Sequence, residues 1–188
     1  MNTTDNRKLK LPAEKFFIIV VLIFGVFSTF LTPPMTTGDE GYHLSAAYNQ
    51  FSSKHPEVMD KPALRVIENE AIGGVTGSTA NISIEDTIFK KVDLENDGIR
   101  LNFVNNGNSF SPVNLMHLPA SIGVLIARLI YPSIGVMDYG GRLANLLFFA
   151  LCFYFIIKKN KQSKWLLVML FTIPYLMKIA SPSYDIFS

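Results

Sequence analysis

The sequence predicts an all-α protein that crosses a membrane more than once. Its apolar residues, 49% of the chain, are gathered into long runs rather than alternating or amphipathic patterns. Its mean hydropathy is +0.28. Its charges are segregated by sign between those runs.

The first run, Phe16 to Leu31, holds sixteen residues without a charge. At 1.5 Å per residue it covers about 24 Å, and a helix entered at Pro12 would reach about 30 Å, the thickness of a hydrocarbon core. Proline suits a first turn, whose N–H groups have no intrahelical partner, and Lys15 can snorkel toward headgroups. Arg7, Lys8, Lys10 and Lys15 also resemble the basic start of a signal peptide. Pro33-Pro34 follows the run directly, however, without a small-residue cleavage pattern, so an uncleaved anchor is expected. Two further runs, Leu143 to Ile157 and Trp165 to Ala180, read as second and third spans. The lone cysteine, Cys152, lies inside the second run, which leaves no disulfide framework and no cysteine-based zinc spacing.

Charge orients these spans. The link from Lys158 to Lys164 carries four lysines and no acid, and four basic residues against two acids precede the first span. Both belong on the cytoplasmic side by the positive-inside rule. Between Thr32 and Gly141 stand twelve acidic and seven basic residues, which makes that segment external. The expected division is therefore a cytoplasmic N-terminus at 1–15, spans at 16–31, 142–157 and 165–180, an external segment at 32–141, a cytoplasmic loop at 158–164 and an external end at 181–188.

Only one crossing fits between the external segment and Lys158, so the apolar stretch from Val113 to Val136 is not a further span. Asn114, His117, Ser121 and Arg128 fall within a stripe about 60° wide at 100° per residue. This predicts an amphipathic helix lying along the outer interface with Ser121 and Arg128 exposed, started or kinked at Pro119 and ended by Tyr131-Pro132. The region from about Ser52 to Ser109 has turn signals at Gly73-Gly74, Asn96-Asp97-Gly98 and Asn105-Asn106-Gly107. Short β-type pieces at Asn81 to Ile84 and Ile99 to Phe103 complete a small irregular insert.

Chemistry concentrates in Thr36-Thr37-Gly38-Asp39-Glu40-Gly41-Tyr42-His43, just beyond the first span. Thr37-x-x-Glu40 fits a helix capping box, and acids in a first turn favour the helix dipole, so a short external helix from Gly38 to about Phe51 accounts for both carboxylates. The same helix sets Asp39 and His43 four residues apart on one face. Such a pair suits a Mg²⁺ or Mn²⁺ ion, to which Asp185, beyond the third span on the same side, adds a second carboxylate. Without a metal, an ionised Asp39 can orient or deprotonate an acceptor hydroxyl. Arg142 and Lys178 sit at the same membrane face. They either snorkel, with Arg142 also paired to Asp138 at i, i+4, or bind a phosphate. His117 is either interfacial helix surface or a substrate contact. P-loop, GxSxG and HExxH patterns are absent, and nothing points to nucleic acid.

Pro33-Pro34, Gly38-Asp39-Glu40-Gly41-Tyr42-His43 and Ala46-Ala47-Tyr48 resemble the opening of the bacterial membrane proteins grouped as domain of unknown function 2142. Phe110-Ser111-Pro112, Leu118 to Gly123, Arg142-Leu143-Ala144-Asn145 and Ser183-Tyr184-Asp185 continue the likeness in order. That family is similar to the GT-C superfamily of integral-membrane glycosyltransferases, which take sugars from polyprenyl phosphate. The resemblance implies a GT-C-like N-terminal part with external interfacial helices in a bacterial cytoplasmic membrane. It implies Asp39 as metal ligand or catalytic acid/base with Glu40 adjacent as a catalytic candidate, while His43 matches the motif and its cation role, like that of Asp185, rests on spacing alone. Arg142, Lys178 and His117 are then placed toward substrate. The partners implied are the lipid bilayer, a polyprenyl-phosphate-linked sugar and a glycan acceptor of cell-envelope polysaccharide assembly. Such enzymes have eight or more spans, so a chain ending at Ser188 is expected to be a fragment. The alternative is a non-catalytic transporter, polymerase partner or assembly subunit for glycan lipids. Transport calls for charges buried within spans, and the three apolar runs carry only Lys178, near an end.

Overall fold

The computed structural model describes residues 11–34, 36, 40–52, 84–92, 98–101, 104–105, 109–110 and 115–178. In chain order its elements are α1 (Ala13–Leu31), α2 (Glu40–Asn49), α3 (Ile84–Phe89), β1 (Val104–Asn105), β2 (Ser109–Phe110), α4 (Leu118–Ile130), α5 (Ile134–Lys159) and α6 (Lys164–Lys178). Helix dominates the described residues. The strands form one antiparallel ribbon, with Val104 opposite Phe110 and Asn105 opposite Ser109, across the Asn-Gly turn signal.

Pro12 caps α1, its carbonyl accepting from the amides of Lys15 and Phe16 at 3.0 Å each. Ser133 caps α5, its Oγ accepting from the Val136 amide at 3.3 Å. α1 and α5 run antiparallel. Phe17 meets Phe149 near the start of α1, while Arg142 reaches the carbonyls at its end. α6 joins them at the start of α1, where Trp165 stands against Phe16 with ring centroids 5.5 Å apart and Lys164 bonds Glu14 at 3.1 Å. Phe17, Val21, Leu146, Phe149, Ala150, Ile157 and Val168 fill the contact between these three helices.

Both α1 and α5 are long and apolar enough to cross a membrane. Only 22% of the apolar window of α1 and 39% of that of α5 is buried, whereas the core helix of a water-soluble domain would be mostly covered. Ile19, Ile23, Phe24, Phe27 and Phe30 stand exposed along α1, and Leu147, Phe148, Leu151 and Phe155 along α5. The described part of α6 covers about 22 Å over its fifteen residues.

A second cluster lies beyond the end of α1. Leu44, Ala47 and Tyr48 of α2 pack on Ala120, Val124 and Ala127 of α4 and on Ile134 and Met137 of α5, with Val92 at the edge. α4 turns back on α5 at Tyr131 to Ser133. That corner is pinned by Val92, whose amide donates to Pro132 O at 2.8 Å, and by the Tyr131 hydroxyl, which donates to Phe89 O.

The approach of α4 to α5 is set by small residues. A Cβ on Gly123 would fall on Gly140 O and within 2.6 Å of Ala144 Cβ, and one on Gly140 would lie 2.6 Å from Gly123 O and 2.7 Å from Ala127 Cβ. Gly123 and Ala127 on one helix, and Gly140 and Ala144 on the other, are two small-x-x-x-small pairs that let the backbones touch.

Three expectations are corrected. The second apolar helix starts at Ile134, eight residues before Arg142, because Ser133 supplies a cap and α4 gives the added turns a partner. Ile84 begins a helix rather than ending a strand, since Glu85 and Asp86 fall in a first turn, where acids favour the helix dipole. The polar stripe of α4 faces inward. Ser121 is 0% and Arg128 8% exposed, against 54% for Ile126 and 66% for Leu129. Arg128 meets the Tyr48 ring of α2 and the Phe51 carbonyl just beyond it, and Ser121 donates to His117 O, which costs less than leaving them unmatched, and the apolar face is turned out.

Two outcomes follow. A fluorophore at position 126 or 129 of membrane-inserted protein should be quenched by brominated lipid and not by aqueous iodide, and the opposite pattern would put that face in water. Gly140→Val should destabilise the chain by about 1–3 kcal/mol, the usual range for overpacking, in reversible detergent unfolding. Unchanged stability would mean that the two helices do not touch there.

Candidate functional site

The last turn of a helix leaves four carbonyls without intrahelical partners. For α1 three carbonyls at and just beyond its end, those of Thr29, Thr32 and Pro33, accept from the Arg142 guanidinium of α5. Nη1 lies 3.2 Å from Thr29 O and 2.7 Å from Thr32 O, and Nη2 lies 3.1 Å from Pro33 O. On its other side the guanidinium meets Glu40, the first residue of α2, with Nε and Nη2 at 2.9 and 2.5 Å from Oε1. Asp138, one turn before Arg142 on α5, brings Oδ2 to 2.9 Å of Nη2. This is the i, i+4 pair visible in the sequence. Arg142 and Asp138 are wholly buried, as is Glu40, so one guanidinium serves two carboxylates and a helix end without water. The positive charge also opposes the negative end of the α1 dipole.

Glu40 and His43 are three residues apart on α2 and both are buried. His43 Nδ1 stands 2.9 Å from Nε2 of His117, the cap residue of α4. Between two imidazole nitrogens at that distance one must donate and the other accept, so the pair carries a single proton along the contact. The backbone around His117 is held by Ser121, whose amide and Oγ both donate to His117 O, at 2.8 and 2.9 Å. Farther along the same face Arg128 lies over the Tyr48 ring, 4.8 Å from its centroid, and donates to Phe51 O at 3.5 Å. The polar stripe of α4 is thus the wall against which α2 rests.

The expected residues divide accordingly. Glu40, His43, His117 and Arg142 come together where α1 ends, α2 begins and α4 meets α5. Arg142 is fully engaged with protein groups and Glu40 is engaged with Arg142, so both act as supports of the site in this arrangement. Asp39 and Asp185 lie outside the described residues, as does the side chain of Lys178 at the end of α6. Among the described residues no group of three His, Cys, Asp or Glu side chains is placed to hold a metal ion. The His43–His117 contact escaped sequence reasoning because the partners are 74 residues apart, and the hydrogen bonds from Arg142 to backbone carbonyls depend on no residue type at the acceptors.

Arg142→Gln should cost about 3–5 kcal/mol, the usual loss when one partner of a buried pair is removed. Glu40→Gln should cost less, since Asp138 remains beside Arg142. Reversible unfolding in detergent reads both, and equal, small losses would show that the cluster does not hold α1 to α2.

Comparison with the curated proteins and with the solved structures finds no match. The family described as predicted membrane protein (DUF2142) matches residues 22–185, a span that includes the end of α1, α2, α4 and α5 and so every side chain of the buried cluster. With two apolar helices of membrane-spanning length joined to that cluster, the chain belongs to this family of predicted membrane proteins.

Proposed function

We propose that the chain belongs to a multi-pass glycosyltransferase of GT-C type, which moves a sugar from polyprenyl phosphate to a glycan acceptor at the outer face of a bacterial cytoplasmic membrane. The observation that carries this reading is the anchoring of Glu40, next to Asp39 in the chain, to Arg142 at the end of α1. Glu40, tied in this way to a buried guanidinium, gives the acidic motif one residue fixed by the scaffold, and support of that kind is what a catalytic carboxylate requires. The His43–His117 pair, one helical turn along α2, adds a polar contact at the same place.

In the reaction the acceptor hydroxyl attacks the anomeric carbon of the donor. Asp39 accepts the hydroxyl proton, the new C–O bond forms, and the bond to the phosphate oxygen breaks with its electron pair leaving on polyprenyl phosphate. Glu40 and Arg142 are positioning residues. Lys178 is assigned to the donor phosphate and His117 to the substrate side of α2 and α4. A Mg²⁺ or Mn²⁺ ion held by Asp39, His43 and Asp185 belongs to the same proposal. No step is assigned to it, because the described side chains do not assemble a ligand set.

The non-catalytic reading, a transporter or assembly subunit for glycan lipids, has one observation in its favour. α5 carries Asp138 and Arg142 wholly buried within it, as transport pathways often require. Arg142 and Glu40 are nonetheless engaged with each other and with the end of α1, which favours the anchoring role.

Asp39→Asn keeps size and capping ability while removing the charge needed for base action. In the complete protein it should abolish polyprenyl-linked sugar transfer without lowering membrane abundance, and chelation should reproduce the loss if the cation takes part. Full transfer by the well-expressed variant would remove Asp39 from the mechanism and support the non-catalytic reading.

A further inference from the structure

The end of the helix bundle opposite the buried cluster holds a cavity of about 810 Å³. It lies between the start of α1 and the α5–α6 turn, and Glu14, Lys161, Ser163, Lys164 and Trp165 are among the residues around it. Glu14 is the only carboxylate among the described residues at this end, and it is already bound to Lys164 Nζ at 3.1 Å. Glu14 also feels the charge of Lys158, so that one carboxylate faces Lys158, Lys159, Lys161 and Lys164 around the turn, and lysines outnumber acids among the described residues there.

The walls are amphipathic. Lys161 and Lys164 supply charge, the amino end of α6 points its dipole into the same space, and Leu11 and Leu166 supply apolar surface. Trp165, half exposed and stacked on Phe16, is the residue type that settles at headgroup depth. A free phosphate would use the charges and leave the apolar wall in water.

We infer that this cavity seats the headgroup of an anionic phospholipid, with the phosphate at Lys161 and Lys164 and the start of the acyl chains against Leu11 and Leu166. The inference needs α1 and α5 to lie in a membrane and is independent of any sugar transfer at the other end. A juxtamembrane lysine contributes about fivefold to the binding of anionic lipid.

The test is native mass spectrometry of the full chain released from detergent after exposure to equimolar phosphatidylglycerol and phosphatidylcholine, with inorganic phosphate in a separate arm. Phosphatidylglycerol should be retained in preference to phosphatidylcholine. Lys161→Gln, at an exposed position, should lower that retention about fivefold. Joint Glu14→Gln and Lys164→Gln, which strands no carboxylate, should lower it to a similar extent. Equal retention of the two lipids, retention indifferent to Lys161, displacement of phosphatidylglycerol by phosphate alone, or no lipid retained at all would each overturn the assignment. The comparison of the two lipids uses the unaltered chain and stands even if a variant fails to fold.

Discussion

The Arg142 guanidinium is the contact on which the rest of this structure depends. It donates to the open carbonyl end of α1, holds the first residue of α2 through Glu40, and stands beside Asp138 one turn earlier on α5. Three helices thus meet on one planar group with five donors, a geometry that a lysine could not reproduce. Away from water, no solvent would serve those carbonyls if the guanidinium were removed. The net stabilisation from a buried ion pair is commonly small, because desolvation offsets attraction. Here its effect is to select one arrangement, since no other residue among those described offers the same donors at the same place.

Packing around this point follows the physics of a membrane more closely than that of water. Between helices in lipid there is no hydrophobic drive, so close contact and polar bonds must supply the association. The Gly123–Ala127 and Gly140–Ala144 pairs bring α4 onto α5 at backbone contact, and the inward polar face of α4 bonds α2. With its polar groups used internally, α4 presents Ile126 and Leu129 outward. The same two requirements, satisfied polar groups and tight small-residue contact, explain why the chain changes direction sharply at Tyr131 to Ser133.

The two ends of the bundle differ in chemistry. At the carbonyl end of α1 the charged groups are buried against one another, with His43 and His117 in contact beside them. At the other end the lysines are exposed around an open cavity. Glu40 and Asp138 are therefore separated from Lys161 and Lys164 by the length of α1.

The sequence by itself determined the family, the helical class and the two long apolar helices, because length, hydropathy and motif order are local properties that survive any packing. It also contained the Asp138–Arg142 pair, a matter of i, i+4 spacing, and the stop at Tyr131-Pro132. Tertiary structure decided the rest of the site. The stripe of His117, Ser121 and Arg128 is the same whether it meets water or another helix, and only the presence of α2 turned it inward. The start of α5 at Ile134 depended on the close approach of Gly123 and Gly140. The engagement of Arg142 with the end of α1 could not be read from residue types at all, since its acceptors are backbone carbonyls that every residue carries.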